Sequence, residues 1–374
     1  MPLINHCANV RLFRAPDSLI PLCLKCGHLI GSFRAQDARA LARGFASDSL
    51  ATSTKSAYLA SWNKFPSICD SLGFHPLPIN ARDFSAAISL YAAKERKLPS
   101  TLAMISAVSF AHTVNGFPSP SQDPVFSLVL RGIKKKTFVQ PKRALPFSTD
   151  LVRALVETLV GSDVLVDSFF DVGLTDWRTA AQAVISFFGL ARFDCLTKLK
   201  PEHLAFHDGW LALTFPRGKT DQLGEGRTIS IHRSQAGFCP VAFLEAYLRR
   251  LQWEFQLELP QDFYRGPLFP TLTVRWIDSR FGKVVTALPK NPIPFSHSGA
   301  TIALRKGLER TGYLLANLFT LHSGRRGGAS AAVAAGCDML TLKRQGRWKS
   351  DSCPQLYVDE HVSLNTDFTK FLSG

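Results

Sequence analysis

Acidic residues are scarce in this chain of 374 residues, and long uninterrupted apolar stretches are missing. Asp and Glu together number 29 against 44 Lys and Arg, which leaves a formal net charge of +15 at neutral pH. A balance this positive favours a polyanionic partner, because basic groups near phosphates release condensed counterions. The charge fits a merely basic soluble protein as well, so it indicates a class of partner and names no activity.

The most apolar stretch, residues 180–191, is interrupted by Gln182 and Ser186. It is shorter than the roughly 20 residues that a helix needs to cross a bilayer. At the N-terminus, Arg11 and Arg14 are followed by only a short apolar stretch, which is not a clean signal peptide. The sequence therefore predicts an intracellular protein without membrane association, nuclear if the host is eukaryotic.

The cysteines are also few, eight in all, and spread too thinly for a small disulfide scaffold, which indicates a reducing compartment. Cys23, Cys26 and His28 could supply a tetrahedral zinc site, since Cys and His at such spacing bind zinc. A second ligand pair with the spacing of a strong zinc pattern is lacking. We therefore expect ordinary thiols here, and predict neither a metal nor another cofactor.

Hydrophobic residues make up 46% of the chain and 28 residues are Phe, which predicts a folded protein large enough for two domains. Helical patterns, with Thr52, Ser53 and Thr54 as candidate caps and an apolar face from Tyr58 to Phe65, predict a small all-α domain first. Further helices of this domain are expected over 83–92, 100–114 and 126–133. The predicted organisation is an N-terminal appendage (1–45), a helical core-binding domain (46–137), a basic linker (138–146) and a larger domain (147–374).

Six basic residues and no acidic one lie in the stretch from Arg131 to Arg143. Because Pro141 discourages a helix, we expect an interdomain linker that can follow a phosphate backbone. A solvated basic loop or a nuclear-targeting stretch explains the pattern nearly as well. The candidate DNA-binding residues are Lys134, Lys135, Lys136, Lys142 and Arg143.

The larger domain is predicted to be mainly helical with a small β-hairpin, an α+β fold. An apolar helix over 176–190 precedes two alternating segments, 211–215 and 228–231, which flank a Gly-rich polar turn. Further helices are expected over 324–335 and 339–345, because each pattern is followed by a glycine that can end it.

Four residues near the C-terminus form a spaced series. His322 and Arg325 are three residues apart, so on a helix both can approach one anion. Trp348 lies nine residues before Tyr357, which a helix beginning near Pro354 is expected to carry. Taken alone, each residue is at least as well explained by packing or by an ordinary surface position. Packing does not explain why they occur together in this order.

This series resembles the tyrosine recombinase (phage integrase) family, whose catalytic domain carries Arg, Lys, His-x-x-Arg, His or Trp, and Tyr in that order. The resemblance covers about residues 146–360, and the preceding domain is similar to the family's core-binding domain in size, position and basic linker. Residues 322–328 and 346–350 are also similar to recombinases of DIRS-like eukaryotic mobile elements. The matching positions are Arg192, Lys219, His322, Arg325, Trp348 and Tyr357.

The resemblance implies a site-specific DNA recombinase or integrase that cuts and rejoins strands through a 3′-phosphotyrosyl link to Tyr357. Phosphodiester attack puts extra negative charge on the free phosphate oxygens. Arg192 and Arg325 offer permanently charged forks that match these oxygens, and Trp348 adds an indole N–H. Because the arginines take the charge that a metal would neutralise and the covalent link stores the bond energy, neither metal nor ATP is expected.

Two further roles follow from the resemblance. His322 is the expected acid/base partner of the phenol, whose ordinary pKa of about 10 disfavours attack at neutral pH. Lys219 is the expected general acid that protonates the departing 5′ oxygen. As in the family, double-stranded DNA is the expected partner, and four copies are expected to act on two duplexes.

Two positions depart from the family pattern. Cys195 stands where the family often has an acidic residue that holds the first arginine, with Asp194 beside it, and Arg347 follows Gly346 directly. Two alternatives stay open: a domesticated DNA-binding protein that keeps the fold without cleaving, and a type IB topoisomerase-like enzyme. The small helical domain fits recombinases better than the topoisomerase.

Overall fold

The computed structural model describes residues 35–95, 97–139, 144–161, 172–216, 226–235, 237–256, 263–278, 283–287, 289 and 291–357. The chain divides into two compact units, residues 1–141 and 142–374. Within the described residues, no helix is both long and apolar enough to cross a membrane. The division falls inside the predicted linker, and the other predicted boundaries stay predictions.

The first unit is all-helical in its described part. Its core is aromatic: Phe84 stacks on Phe126 with ring centroids 4.7 Å apart and meets Phe65 edge-on at 6.1 Å. The helices predicted over 83–92, 100–114 and 126–133 are confirmed. The helices are α1 (Ala35–Asp48), α2 (Thr52–Trp62), α3 (Phe65–Asp70), α4 (Ala81–Glu95), α5 (Leu98–Val114) and α6 (Pro124–Lys136).

Three details of this unit differ from the sequence prediction. Helix α1 begins at Ala35, inside the predicted appendage. The Thr52–Thr54 segment lies within the first turn of α2, whose N-cap is Ala51 without a side-chain hydrogen bond. The predicted apolar face is divided between α2 and α3, because Pro66 suits the first turn of a new helix, and Leu59 of that face is exposed.

The basic stretch also differs from the prediction, because α6 continues through Lys136. Asp123 caps this helix by accepting hydrogen bonds from the backbone N–H groups of Val125 and Phe126. The three lysines that end α6 lie beside its carbonyl end, where cations are favoured. Residues 131–136 are therefore helix and not linker.

The second unit combines helices with a small antiparallel sheet of order β1-β2-β3 and a separate β4-β5 hairpin. The predicted pairing of 211–215 with 228–231 is confirmed by the register of Leu211 with Ile231. The elements are α7 (Thr149–Val160), α8 (Leu174–Phe188), α9 (Phe193–Leu196), β1 (Leu204–Phe206), β2 (Trp210–Phe215), β3 (Arg227–His232), α10 (Pro240–Gln256), β4 (Thr273–Asp278), β5 (Lys283–Ala287), α11 (His297–Arg310), α12 (Ser323–Ala334), α13 (Met339–Gly346) and a final helical turn over 352–357.

Helix α8 is the central element of this unit. Its side chains are buried along nearly its whole length, because α7, α10, α11 and α12 all contact it. Trp177 stacks on Phe243 of α10 with centroids 5.7 Å apart and planes 13° apart. The helix is thereby fixed in the core, and its C-terminal end, Phe188, leads the chain towards Arg192.

Helix α12 packs so closely on the end of α8 that no side chain fits between the two backbones at the contact. A Cβ at Gly328 would lie 2.0 Å from the carbonyl oxygen of Phe187, and one at Gly327 would lie 2.1 Å from that of Phe147. No side chain fits at such distances, so these two positions require glycine. The close approach holds the first turn of α12, which carries Arg325, against the end of α8.

Candidate active site

The first predicted arginine follows a strained turn at the end of α8. Leu190 is buried and has a φ of +44°, a conformation that residues with a side chain rarely adopt. The turn leads to Arg192, whose extended backbone makes it the N-cap of α9. Arg192 is half-buried.

Arg325 is the third residue of α12, and only 3% of it is exposed. Its Nη1 donates to the carbonyl of Leu190, and its Nη2 donates to the carbonyl of Gly346 at 2.8 Å. Burial, together with the charges of the nearby Arg192 and Arg347, lowers the pKa of Arg325 to about 9. Arg325 is still protonated at neutral pH, so it is a buried positive charge between α8 and α13.

Trp348 and Tyr357 lie on the other side of this charge. The Cζ atom of Arg325 is 4.3 Å from the centroid of the Trp348 ring, a cation–π contact. The half-buried Tyr357 ring is 5.8 Å from the Trp348 ring, centroid to centroid. Tyr357 is also close enough to Arg325 to raise the pKa of that arginine electrostatically. Three of the predicted site residues therefore form one cluster.

His322 is the N-cap of α12 and not a residue inside the helix, as the sequence had suggested. Desolvation lowers the pKa of its imidazole from 6.5, and the charges of Arg325, Arg192 and His297 lower it further. His322 is therefore neutral at pH 7 and can accept a proton. The structure thus brings Arg192, His322, Arg325, Trp348 and Tyr357 together around the start of α12.

The remaining predicted site residues are placed elsewhere or not at all. Lys134, Lys135 and Lys136 are exposed at the end of α6 in the first unit. Lys142, Arg143 and Lys219 lie outside the described residues, as do Cys23, Cys26 and His28. Over the parts of the chain that the structure describes, no three His, Cys, Asp or Glu side chains are grouped as metal ligands.

The structure also settles what Asp194 does. Its carboxylate accepts a hydrogen bond from Lys198, four residues further on, at 2.7 Å, and its own side chain is exposed while that of Lys198 is partly buried. Cys195, by contrast, is buried and close enough to Arg347 to raise the pKa of that arginine. The position that is often acidic in the family therefore lies beside a second guanidinium in this chain.

Two residues of the site were given no role from the sequence. His297, the first residue of α11, packs edge-on against Phe193 with ring centroids 5.0 Å apart and influences His322 electrostatically. Arg347 lies under the turn that leads to Arg192. The departure from the family pattern at Gly346 and Arg347 was the sequence feature that pointed to Arg347. Nothing in the sequence distinguished His297 from a surface histidine.

Comparisons with known proteins support the fold. No family model matches the chain. An integrase/recombinase XerD homolog from Selenomonas ruminantium is 27% identical over 318 residues, which cover 83% of this chain and 83% of the relative. XerH site-specific recombinase has a TM-score of 0.50 in its post-cleavage complex with palindromic difH substrate, with 12% identity over 79% of this chain and 73% of XerH. In the pre-cleavage complex with difH the TM-score is also 0.50, with 13% identity over 87% of this chain and 81% of XerH.

The second unit has the α+β fold of a tyrosine recombinase catalytic domain, and it follows a small helical unit in the chain. The predicted resemblance to that family is confirmed, in sequence by the XerD homolog and in fold by XerH. The narrower resemblance to the DIRS-like branch stays a prediction.

Proposed function

We propose that this chain is a tyrosine recombinase that cuts and rejoins DNA strands through a covalent link to Tyr357. One observation carries the proposal: the Tyr357 ring lies beside Trp348, which in turn covers the buried guanidinium of Arg325. A phenol next to a buried cation suits attack on a phosphate, because the cation stabilises the negative charge that develops. The sequence similarity to an integrase/recombinase over 83% of the chain supports the same activity.

In the proposed reaction, the Tyr357 oxygen attacks the scissile phosphorus and the bond to the 5′ oxygen breaks. The product is a 3′-phosphotyrosyl link and a free 5′ hydroxyl, and the reverse reaction with another 5′ hydroxyl rejoins the strand. Arg192 and Arg325 stabilise the five-coordinate transition state through its free oxygens, and Trp348 contributes its indole N–H. Since the phosphodiester energy is kept in the covalent link, neither ATP nor a metal is required.

Proton transfer is assigned to His322 and Lys219. The lowered pKa of His322 leaves it neutral at pH 7, which suits removal of the proton from the Tyr357 hydroxyl. Lys219, in the segment between β2 and β3, protonates the departing 5′ oxygen. Both assignments depend on the resemblance to the family, and the position of His322 beside Arg325 supports the first.

Double-stranded DNA is the proposed substrate, and a homotetramer on two paired sites is the proposed assembly. The net charge of +15 favours such a polyanion. The exposed Lys134, Lys135 and Lys136 are suited to phosphate contacts, and Lys142 and Arg143 are proposed to continue them. XerH, which shares the fold, is bound to difH substrate in its own structures.

The test is covalent trapping on nicked duplexes that carry the ends of the element encoding this chain, with EDTA present and ATP absent. Wild-type protein should form an adduct that survives a denaturing gel, and Tyr357→Phe should not. Tyr313→Phe is the matched control, because Tyr313 is a partly exposed tyrosine on the loop after α11. Tight DNA binding without any adduct across many candidate duplexes would favour the non-cleaving DNA-binding alternative.

A further inference from the structure

Arg347 occupies a backbone conformation that normally belongs to glycine. Its φ is +54°, and it ends α13 in the left-handed region. Two backbone hydrogen bonds close this end: Arg347 N–H donates to the Arg344 carbonyl at 3.0 Å, and Trp348 N–H donates to the Lys343 carbonyl at 3.1 Å. Helices with this closure usually have glycine at the left-handed position. The backbone alone therefore gives no reason for an arginine here.

The side chain of Arg347 supplies the reason. Its Nη1 donates to the carbonyl of Gly189 at 2.9 Å, and its Nη2 donates to the carbonyl of Leu190 at 2.9 Å. The guanidinium also lies over the Phe215 ring, with Cζ 3.8 Å from the centroid, and is close to the Cys195 thiol. These contacts join the end of α13 to the α8–α9 turn, to α9 and to the sheet.

The Leu190 carbonyl is shared between two arginines. It accepts from Nη1 of Arg325 and from Nη2 of Arg347. Leu190 is itself strained at a φ of +44°, so the turn needs external contacts to persist. Two residues later the same turn presents Arg192. One buried carbonyl thus connects the positions of both phosphate-binding candidates.

We propose that Arg347 is a positioning residue that sets the geometry of Arg192 and Arg325 by holding the carbonyls of residues 189 and 190. Only the expected effect of Arg347 on DNA cleavage rests on the proposed function. Arg347 donates to two carbonyls of the α8–α9 turn and lies over Phe215, so its proposed action is on the turn that carries Arg192. The cationic fork bridges chain segments that are far apart in sequence, which a lysine cannot do bidentately.

Two substitutions separate the side chain from the backbone. Arg347→Gly suits the left-handed conformation and removes the fork, so the helix end stays intact while the carbonyls lose their donors. Arg347→Lys keeps the charge without the planar fork. The matched control is Arg250→Lys, because Arg250 is another buried arginine, paired with Glu254 at 2.7 Å in α10.

The first measurement is hydrogen exchange of the backbone amides of residues 188–197, followed by mass spectrometry, which requires no catalytic activity. Arg347→Gly and Arg347→Lys should both accelerate exchange in this peptide, whereas Arg250→Lys should leave it as in the wild type. Unchanged exchange in both Arg347 variants would overturn the inference, whether or not the wild-type protein cleaves DNA.

The second measurement is the single-turnover rate of adduct formation, alongside DNA affinity and melting temperature. Since a displacement of about 1 Å can cost 10²-fold in rate, Arg347→Gly should cleave about 100-fold more slowly at nearly unchanged DNA affinity. In a double-mutant cycle with Arg192→Lys, the two losses should be clearly less than additive, because both act through one guanidinium. Rates within threefold of wild type, or fully additive losses, would overturn the inference.

An absence of adduct with the wild-type protein would count against the proposed function alone. In that case the hydrogen-exchange comparison still decides whether Arg347 holds the turn. The two failures can therefore be told apart. If no protein forms the adduct, the proposed role of Tyr357 is wrong. If the adduct forms normally and hydrogen exchange of the turn is unchanged in the Arg347 variants, the proposed role of Arg347 is wrong.

Discussion

The Cζ atom of Arg325 lies 4.3 Å from the centroid of the Trp348 ring, and the same guanidinium donates to the carbonyl of Gly346, two residues before that tryptophan. The ring therefore covers a buried cation that also touches α13. Trp348 thus has two separable properties, the ring that packs on Arg325 and the indole N–H that we assign to the phosphate.

Substitution of Trp348 separates these two properties. Trp348→Phe keeps an aromatic ring over Arg325, so we expect a loss of stability below about 1.5 kcal/mol but a lower cleavage rate from the missing N–H. Trp348→Ala should cost about 3–5 kcal/mol, because Trp348 is buried. Urea unfolding and adduct formation measure the two effects. Equal losses of stability in both variants would contradict the role of the ring.

The contact between α12 and α8 predicts a strong effect of one methyl group. Gly328→Ala should destabilise the second unit by about 1–3 kcal/mol, because the new Cβ would lie 2.0 Å from the Phe187 carbonyl oxygen. Gly132→Ala is the control: Gly132 lies in α6, and nothing is within 4 Å of its Cβ position. There the gain in helix propensity should raise stability by up to about 1 kcal/mol. Denaturant unfolding measures the stability of both variants. An unchanged free energy of unfolding in Gly328→Ala would mean that the two helices lie further apart.

The lowered pKa of His322 predicts the pH dependence of cleavage. The imidazole is neutral at pH 7 and becomes protonated only as the pH falls through a value below 6.5. If neutral His322 accepts the phenol proton, the single-turnover rate should be flat near pH 7 and decline only at pH values below 6.5. His322→Gln should be slow and should lose this acid limb. His207→Gln is the control, since His207 stacks on Trp210 at the sheet surface. If the cleavage rate of His322→Gln still declines at acidic pH, another group causes the decline.

The buried His112 of the first unit predicts a pH dependence of stability. Its Nδ1 lies 2.8 Å from the Val108 carbonyl, and its Nε2 accepts from the Ile79 N–H at 3.0 Å, so the neutral ring satisfies both contacts. Burial lowers its pKa from 6.5 in the folded state. The unfolded state therefore binds the proton more strongly, and stability falls as the pH drops below about 6.5, down to the folded pKa.

His112→Gln should flatten this dependence while lowering stability at neutral pH. The exposed His75 provides the comparison, because His75→Gln should leave the slope of unfolding free energy against pH between 5 and 7 unchanged. Urea unfolding at several pH values measures the slope. An unaltered slope in His112→Gln would assign the effect to other groups.

Local patterns in the sequence predicted much of the fold. Helices α4, α5, α8 and α13 and the β2–β3 pair follow from apolar periodicity and from the residues that end each element. Helix α11 was not predicted; it begins at His297, directly after a stretch that contains several prolines. The division of the Tyr58–Phe65 face into α2 and α3 was missed as well, because one proline inside a periodic pattern was not weighed.

The sequence by itself determined the ordered series from Arg192 to Tyr357, because residue types and spacings are properties of the chain alone. Only the tertiary structure decided which groups the arginines bind. Arg347 donates to a carbonyl 158 residues away, and Arg325 to one 135 residues away. Backbone carbonyls carry no side-chain signature and become acceptors only when distant segments pack. Glycines at the α8–α12 contact and a left-handed arginine at the end of α13 set that geometry, and no spacing rule predicts it.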